Sequence, residues 1–307
     1  MPATSANLLN IVAASSITCD GACAIGCASC VVFNPANRLP HSGSVASISS
    51  VSDTRLLKIT VGMRMVVAAS REINDGELVF VGMRLPLLAF AVARMTHAPR
   101  AVGLYENGVI REEPASDLIY TMADTPNLNG ATFLGDMLSV MGPLASGKVD
   151  LGFLGAAQVD EFGNLNSTRV KTTDGFVRLP GSGGACDIAC QANRVVALMK
   201  HDRTRLVRKV DYVTSPGWGA GEQWRLKQGL PRGGTSCLIT TKGLIRFDSP
   251  DHAGYLAAYH AGEEITNIQE STGWNLTVGE NCKITLDPTE AELTAMRRYD
   301  PKGFWTS

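Results

Sequence analysis

The sequence predicts one α/β domain over residues 59–307, preceded by an extension, residues 1–58, of different character. Three observations carry that reading. Four short apolar runs, Glu77–Val81, Ala101–Leu104, Val149–Leu154 and Arg194–Met199, have the length and the flanking turn residues of buried strands. The first two flank a helical segment, Leu87–Thr96, and strand–helix–strand order favours a parallel pair joined by a right-handed crossover. Composition agrees: 45% of residues are hydrophobic and 19% charged, and a chain of this length buries about 75% of its unfolded surface without staples.

The extension is rich in Ser, Ala, Cys and Asn and has no sustained period. Four of the eight cysteines fall there, Cys19, Cys23, Cys27 and Cys30, spaced C-x3-C-x3-C-x2-C. The last three match the C-x3-C-x2-C spacing that resembles the cluster motif of radical SAM enzymes, where three thiolates converge on iron and sulfur. The glycine pattern and βα repeat of such enzymes are missing from the rest of the chain. A structural zinc site would more usually show paired C-x2-C knuckles. The simpler expectation is a poorly ordered leader that holds no metal.

A net charge of −1 does not suggest a nucleic-acid or acidic-membrane partner. No run of ~18 apolar residues and no secretory leader pattern is visible, so the expected compartment is the cytosol, with thiols reduced.

From residue 60 the elements follow in order. Met63–Ile73 is Ala- and Val-rich and helical in pattern, and Asn74-Asp75-Gly76 ends it. Gly82-Met83-Arg84-Leu85-Pro86 turns from the first strand into the Leu87–Thr96 helix. Met137–Leu144 is a further helix. Residues 155–166 form a polar, glycine-punctuated loop after the Val149–Leu154 strand, either at the edge or ligand end of the sheet or as a plain tight turn. His201–Arg205 is a polar turn, and Val210–Trp218 closes in a Pro-Gly turn. Leu238–Thr241 and Leu244–Phe247 straddle Lys242-Gly243 as a hairpin. Tyr255–His260 is a strand, Glu263–Ser271 a helix stopped by Gly273, and Pro288–Arg298 an amphipathic helix.

Two stretches carry chemistry. Glu106-Asn107-Gly108 follows a buried strand, so Glu106 stands at a strand's carboxyl end, where open α/β sheets place ligands. Alone, this stretch reads most simply as a solvated turn. Gly181-Ser182-Gly183-Gly184 precedes a short helical segment. Backbone N–H groups at such a junction can hold an anion or a developing oxyanion, although the cluster is neither GxGxxG nor a P-loop. His41, His97, His201, His252 and His260 recur at no metal-ligand spacing.

Together these stretches resemble the β subunit of the class I coenzyme A transferases, closest to the glutaconate type. The carriers, in order, are GMRLP (82–86), ENG (106–108), GAAQVDEFGNLNS (155–167), GSGGACDIA (181–189), DYVTSPG (211–217) and Thr272-Gly273-Trp274. The resemblance implies a three-layer α/β/α fold with a mixed, mostly parallel central sheet. It implies a separate α subunit, with the active site between the two chains. Coenzyme A would be a substrate, passed from an acyl-CoA to a carboxylic or dicarboxylic acid, with no prosthetic group. Glu106 would be the nucleophile that carries a glutamyl-CoA thioester. Gly183 and Gly184 would offer N–H groups to the oxyanion, and Asn107 and Gly108 would hold the nucleophile's turn. Gln158 and Asn164 would either touch substrate or shape their loop. Ala156 and Cys186 depart from the family pattern, where glycine and a polar residue are commoner, and they bear on substrate identity. Hydrolases or decarboxylases of CoA thioesters share this scaffold and are the alternative reading, although several lack the glutamate.

Overall fold

The structure, a computed structural model, describes residues 59–230 and 232–307. The cysteine-rich extension, with Cys19, Cys23, Cys27 and Cys30, lies outside the described residues.

The described chain is organised by one ten-stranded sheet, whose spatial order is β14-β13-β12-β11-β10-β5-β1-β2-β3-β4. Its centre is parallel. Strands β1 (Leu78–Phe80), β2 (Val102–Tyr105), β5 (Leu151–Gly155), β10 (Arg194–Met199) and β11 (Thr235–Thr240) all run the same way. The strand–helix–strand unit read from the sequence is present as β1, α2 (Leu85–Met95) and β2, with Val79 beside Gly103 in parallel register. Antiparallel strands extend both flanks: β3 (Val109–Arg111) and β4 (Phe133–Leu134) beyond β2, β12 (Gly243–Arg246) and β13 (Tyr255–Tyr259) beyond β11. β14 (Thr277–Ile284) closes one edge, parallel to β13.

Alternation along the central strands separates the two faces. Val79, Leu151, Phe153, Val196, Leu198, Cys237 and Ile239 share one apolar core with α1 (Val61–Ser70), α2 and α8 (Glu290–Tyr299). On the other face α5 (Ala185–Gln191) packs on β5 and β10, and Gly152 leaves the space that Ile188 fills. α4 (Met137–Ala145) lies against α5, and the short helices α3 (Thr125–Leu128), α6 (Trp224–Lys227) and α7 (Ile265–Glu270) fall between the longer ones. The result is helices on both faces of a mixed sheet, the three-layer arrangement expected.

Local chemistry sets the helix limits. Thr60 Oγ1 accepts the Met63 N–H at 3.1 Å, so α1 begins at Val61, and it ends at Ser70 rather than at Ile73. The Glu72 and Ile73 N–H groups instead close tight turns onto Ala69 and Ser70. Thr289 and Glu292 form a reciprocal capping box at the start of α8. Glu292 also accepts both Arg71 Nε and Nη2 at 2.9 Å, which ties α8 to the end of α1.

The segment 155–166, expected as a loop, contains a small hairpin, β6 (Gln158–Val159) with β7 (Leu165–Asn166). A second hairpin, β8 (Arg169–Thr172) with β9 (Gly175–Arg178), stands out from the body with mostly exposed residues. Among the described residues no helix is long and apolar enough to cross a membrane.

Candidate active site

All five central strands end on the same side of the sheet, and their carboxyl ends frame a cleft of about 770 Å³. Val81–Pro86 line it after β1, Glu106 after β2, Leu154–Ala156 at the end of β5, Leu198–Lys200 at the end of β10 and Thr241 after β11. Pro180, Gly181, Ser182 and Ala185 cover it from the α5 side, and Trp305 closes one wall. This is the crevice at which open α/β sheets bind ligands.

Glu106 is the first residue of a three-residue hairpin loop, because Tyr105 and Val109 pair across it. The loop is held at each position. Tyr105 is fully buried beneath it, edge-on to Phe90. The Asn107 amide donates to the Met122 carbonyl at 2.9 Å. Gly108 has φ 94° and donates its N–H to the Tyr105 carbonyl at 2.9 Å. No other residue fits well at 108: besides the left-handed φ, a Cβ would lie 2.4 Å from the Gly135 carbonyl oxygen. Asn107 and Gly108 are thus both fixed within this turn.

The glycine cluster meets the glutamate. The Gly184 N–H donates to Glu106 Oε1 at 2.9 Å, across 78 residues of sequence. Gly183, at φ 48°, is adjacent, and a Cβ there would stand 3.5 Å from the same oxygen. The two glycines thus differ: the amide of Gly184 bonds the carboxylate, and Gly183 supplies the left-handed turn that aims it.

Two further stretches fix the cluster. The Ser167 hydroxyl donates to the Gly181 carbonyl at 2.8 Å, and the Gly181 N–H donates to the Ser167 carbonyl at 2.9 Å. The Ser167 N–H in turn reaches Thr214 Oγ1 at 2.9 Å. Arg225, 4% exposed, donates to the carbonyls of Ala189, Pro216, Gly217 and Arg232. It pins the end of α5 to the 211–217 stretch.

Gln158 and Asn164 belong to this support. Gln158, 5% exposed, donates to Asp211 and accepts from the Asp211 N–H and from Asn166. Asn164, 3% exposed, donates to Asp160 and the Gly219 carbonyl and accepts the N–H groups of Gly217 and Gly219. Of the two roles expected for them, the geometry matches loop-shaping; neither lines the cleft. Burial pushes the Asp160 carboxyl up to about 6 despite the N–H donors around it. Burial likewise pulls His201 down to about 4, where it bridges Thr240 and Thr272 at 3.0 Å each. That bridge anchors Thr272-Gly273-Trp274 to the end of β11.

Sequence reasoning missed the cleft's cations. Arg84, Lys200 and Arg205 line it, and Glu106 is its one carboxylate among the described residues. Arg84 lay inside a turn that also carries the family resemblance, and Arg205 inside a stretch read as a polar turn; neither was singled out. Only the convergence of strand ends far apart in sequence brings them together.

The family model for coenzyme A transferase matches residues 62–266. The B subunit of 3-oxoadipate CoA-transferase from Pseudomonas knackmussii is 36% identical over 78% of this chain and 92% of its own length. The B subunit of glutaconate CoA-transferase from Acidaminococcus fermentans is 33% identical over 74% of this chain and 88% of its own. The crystal structure of that glutaconate enzyme superposes with a TM-score of 0.75 at 28% identity, covering 81% of this chain and 98% of the other. The decarboxylase AibA/AibB superposes with a TM-score of 0.68, also at 28% identity, over 80% and 97% of the two chains. With the strand-end glutamate, the glycine cluster that meets it and a family match across most of its length, this chain belongs to the coenzyme A transferases.

Proposed function

We propose that this chain is the β subunit of a two-chain transferase that moves coenzyme A from an acyl-CoA to a carboxylic or dicarboxylic acid, with Glu106 as nucleophile. The partner is a separate α subunit, since the two relatives named above are each the B member of a multi-subunit transferase. The cytosol is the compartment proposed. Cys186, Cys190, Cys237 and Cys282, the cysteines among the described residues, are all unpaired, as a reducing compartment favours.

One observation carries the reading: the 2.9 Å bond from the Gly184 N–H to Glu106 Oε1. A glutamate that only capped a surface turn would have no need of a donor fixed by a distant glycine cluster. In the proposed path the Glu106 carboxylate attacks the acyl-CoA carbonyl, the C–S bond breaks, and an acyl-glutamyl anhydride and CoA thiolate result. The thiolate then attacks the glutamyl carbonyl, releasing the donor acid and leaving glutamyl-CoA thioester. The acceptor carboxylate attacks that thioester to give a second anhydride and thiolate. The thiolate takes the acyl group from the anhydride and restores Glu106. Splitting one exchange into these steps is covalent catalysis, with ping-pong kinetics.

Whenever the glutamyl carbon is attacked, Oε1 bears the developing charge. The Gly184 N–H already points at it, so the donor needs no rearrangement. A second donor from Gly183 is part of the proposal and rests on its adjacency.

The test is incubation of the two-subunit complex with acyl-CoA and no acceptor, followed by borohydride trapping and peptide mapping. The expected result is modification at Glu106 alone, and a loss of transfer on the order of 10³ or more in Glu106→Gln. A label elsewhere, or transfer surviving in the variant, would overturn the assignment. The likeness to AibA/AibB supports a second reading, breakdown of a CoA thioester on the same scaffold. Turnover that needs no acceptor acid would favour it.

A further inference from the structure

We infer that Arg84 is a specificity-determining residue of this cleft, taking the non-reacting carboxylate of a dicarboxylic substrate. The inference rests on the transfer reading above and names the substrate class it selects.

Three cations, Arg84, Lys200 and Arg205, face one carboxylate, Glu106, on a chain whose net charge is −1. None of the three cations lies within 4.0 Å of a carboxylate among the described residues. Asp202 lies near enough to Lys200 and Arg205 to feel their charge, whereas no such neighbour is seen for Arg84 among the described residues. Cations grouped on a concave wall raise the local concentration of anions and orient them. The ligand therefore carries negative charge beyond the group that reacts with Glu106.

The strand order then separates the cations. Arg84 follows β1, which lies directly beside β2, the strand that delivers Glu106. Lys200 follows β10, with β5 and β1 between it and β2. With neighbouring strands about 4.8 Å apart, Arg84 starts one spacing from the nucleophile's strand and Lys200 starts three spacings away, roughly 14 Å. The near position suits the far end of a short diacid whose other carboxyl is at Glu106. The distant wall suits the phosphates of CoA, separated from its sulfur by the long pantetheine arm.

Arg84 is also held where it is at a cost. Its φ of 68° and ψ of −120° are a conformation that glycine adopts freely and a long side chain does not. Its guanidinium carbon lies 5.5 Å from the Trp305 ring centroid. Trp305 is fixed in turn: Asp300 accepts its backbone N–H at 2.9 Å, and its indole N–H reaches the Ile119 carbonyl. A guanidinium held over an aromatic ring by cation–π attraction still has N–H groups to offer a carboxylate.

The experiment compares wild type, Arg84→Gly and Arg84→Lys in the assembled two-subunit complex. Acceptors are succinate, glutarate and adipate, set against butyrate, valerate and hexanoate. The readout is the ratio of kcat/KM for each diacid to that for its matching monoacid. In Arg84→Gly the best ratio falls roughly 10- to 100-fold, and Arg84→Lys recovers part of it. The melting temperature of Arg84→Gly does not fall, because glycine relieves the backbone, so misfolding is not the cause. An unchanged ratio overturns the inference. So does a rise in KM for the acyl-CoA that is independent of the acid, which would assign Arg84 to the CoA phosphates. Calorimetric titration of glutarate needs no turnover. Binding weakened by Arg84→Gly in a complex that transfers no CoA would refute the transfer reading and leave this one standing.

Discussion

Alanine at each of the paired glycines, Gly183 and Gly184, gives the sharpest trial of the site, because the two positions predict opposite phenotypes. At Gly184 the backbone is φ −78°, ψ 1°, which alanine adopts without strain. The new Cβ would lie 2.9 Å from Glu106 Oε1 and 3.3 Å from its Cδ. The carboxylate is the end of a flexible side chain and can retreat, so stability shifts by less than about 1 kcal/mol. Retreat to ordinary contact, though, moves Oε1 by about half an ångström and lengthens its bond to the Gly184 N–H. A misplacement of that order, together with a weakened oxyanion donor, lowers kcat by about 10²-fold, or about 2.7 kcal/mol. At Gly183 the balance is reversed. Its φ of 48° charges alanine about 1–2 kcal/mol of backbone strain, while the Cβ meets Oε1 at an ordinary 3.5 Å. Gly183→Ala therefore loses stability and keeps kcat within a few-fold. Urea unfolding of the chain and steady-state transfer by the complex measure the two quantities separately. Equal loss of kcat in both variants would refute this difference between the two positions. Undiminished kcat in Gly184→Ala would refute the contact's importance.

Substitutions at two further positions probe the support beneath the site. Asp160, raised by burial from 3.8 to about 6, holds its proton more tightly folded than unfolded; that stability is present below about pH 4 and lost as pH rises through about 6. His201, lowered by burial from 6.5 to about 4, acts oppositely: its contribution is present above pH 6.5 and lost as pH falls through about 4. The two slopes oppose each other between pH 4 and 6, so Asp160→Asn unmasks a stability that rises with pH by up to about 1.4 kcal/mol per unit. Urea unfolding at several pH values checks this, and an unchanged slope would count against the buried carboxyl. Arg225→Ala strands four carbonyls, and a buried acceptor left without its donor costs about 1–3 kcal/mol, so a loss of at least that size is expected. Arg225→Lys recovers little, since an ammonium lacks the fork that reaches all four. Thermal melts of the two variants decide it.

The parallel centre was legible in the sequence because strands buried on both faces are continuous apolar runs, as in Val149–Leu154 and Arg194–Met199. The edges were not. β14, TVGENCKI, is mostly exposed and carries Gly, Glu and Asn, so it shows neither an apolar run nor an alternating face. The β8–β9 hairpin was hidden for the same reason. At the site, the residues with a local signature stood out: a carboxylate after a strand, and glycines before a helix. What pairs them is tertiary, since Gly184 reaches Glu106 across 78 residues. The division of labour between Gly183 and Gly184 follows from their φ values, which two identical letters cannot express. Arg84 was concealed for the opposite reason. Arginine at a glycine-like φ contradicts local propensity, and such contradictions concentrate at functional positions.

The geometry also bears on why a transferase of this design would need a second chain. The thioester proposed on Glu106, polarised by the Gly184 N–H, would be open to water as much as to an acceptor carboxylate, since the donor would activate the carbonyl toward any nucleophile. Transfer then depends on excluding water while admitting an acid. This chain supplies an open cleft of about 770 Å³, lined by the half-buried Glu106 and by cations on its walls. It can attract and orient anions, but it does not by itself enclose them. Enclosure would fall to the α subunit, and the same covalent chemistry with a leaky enclosure is hydrolysis. The transfer reading and the thioester-breaking alternative thus differ less at Glu106 than at the surface that meets the partner.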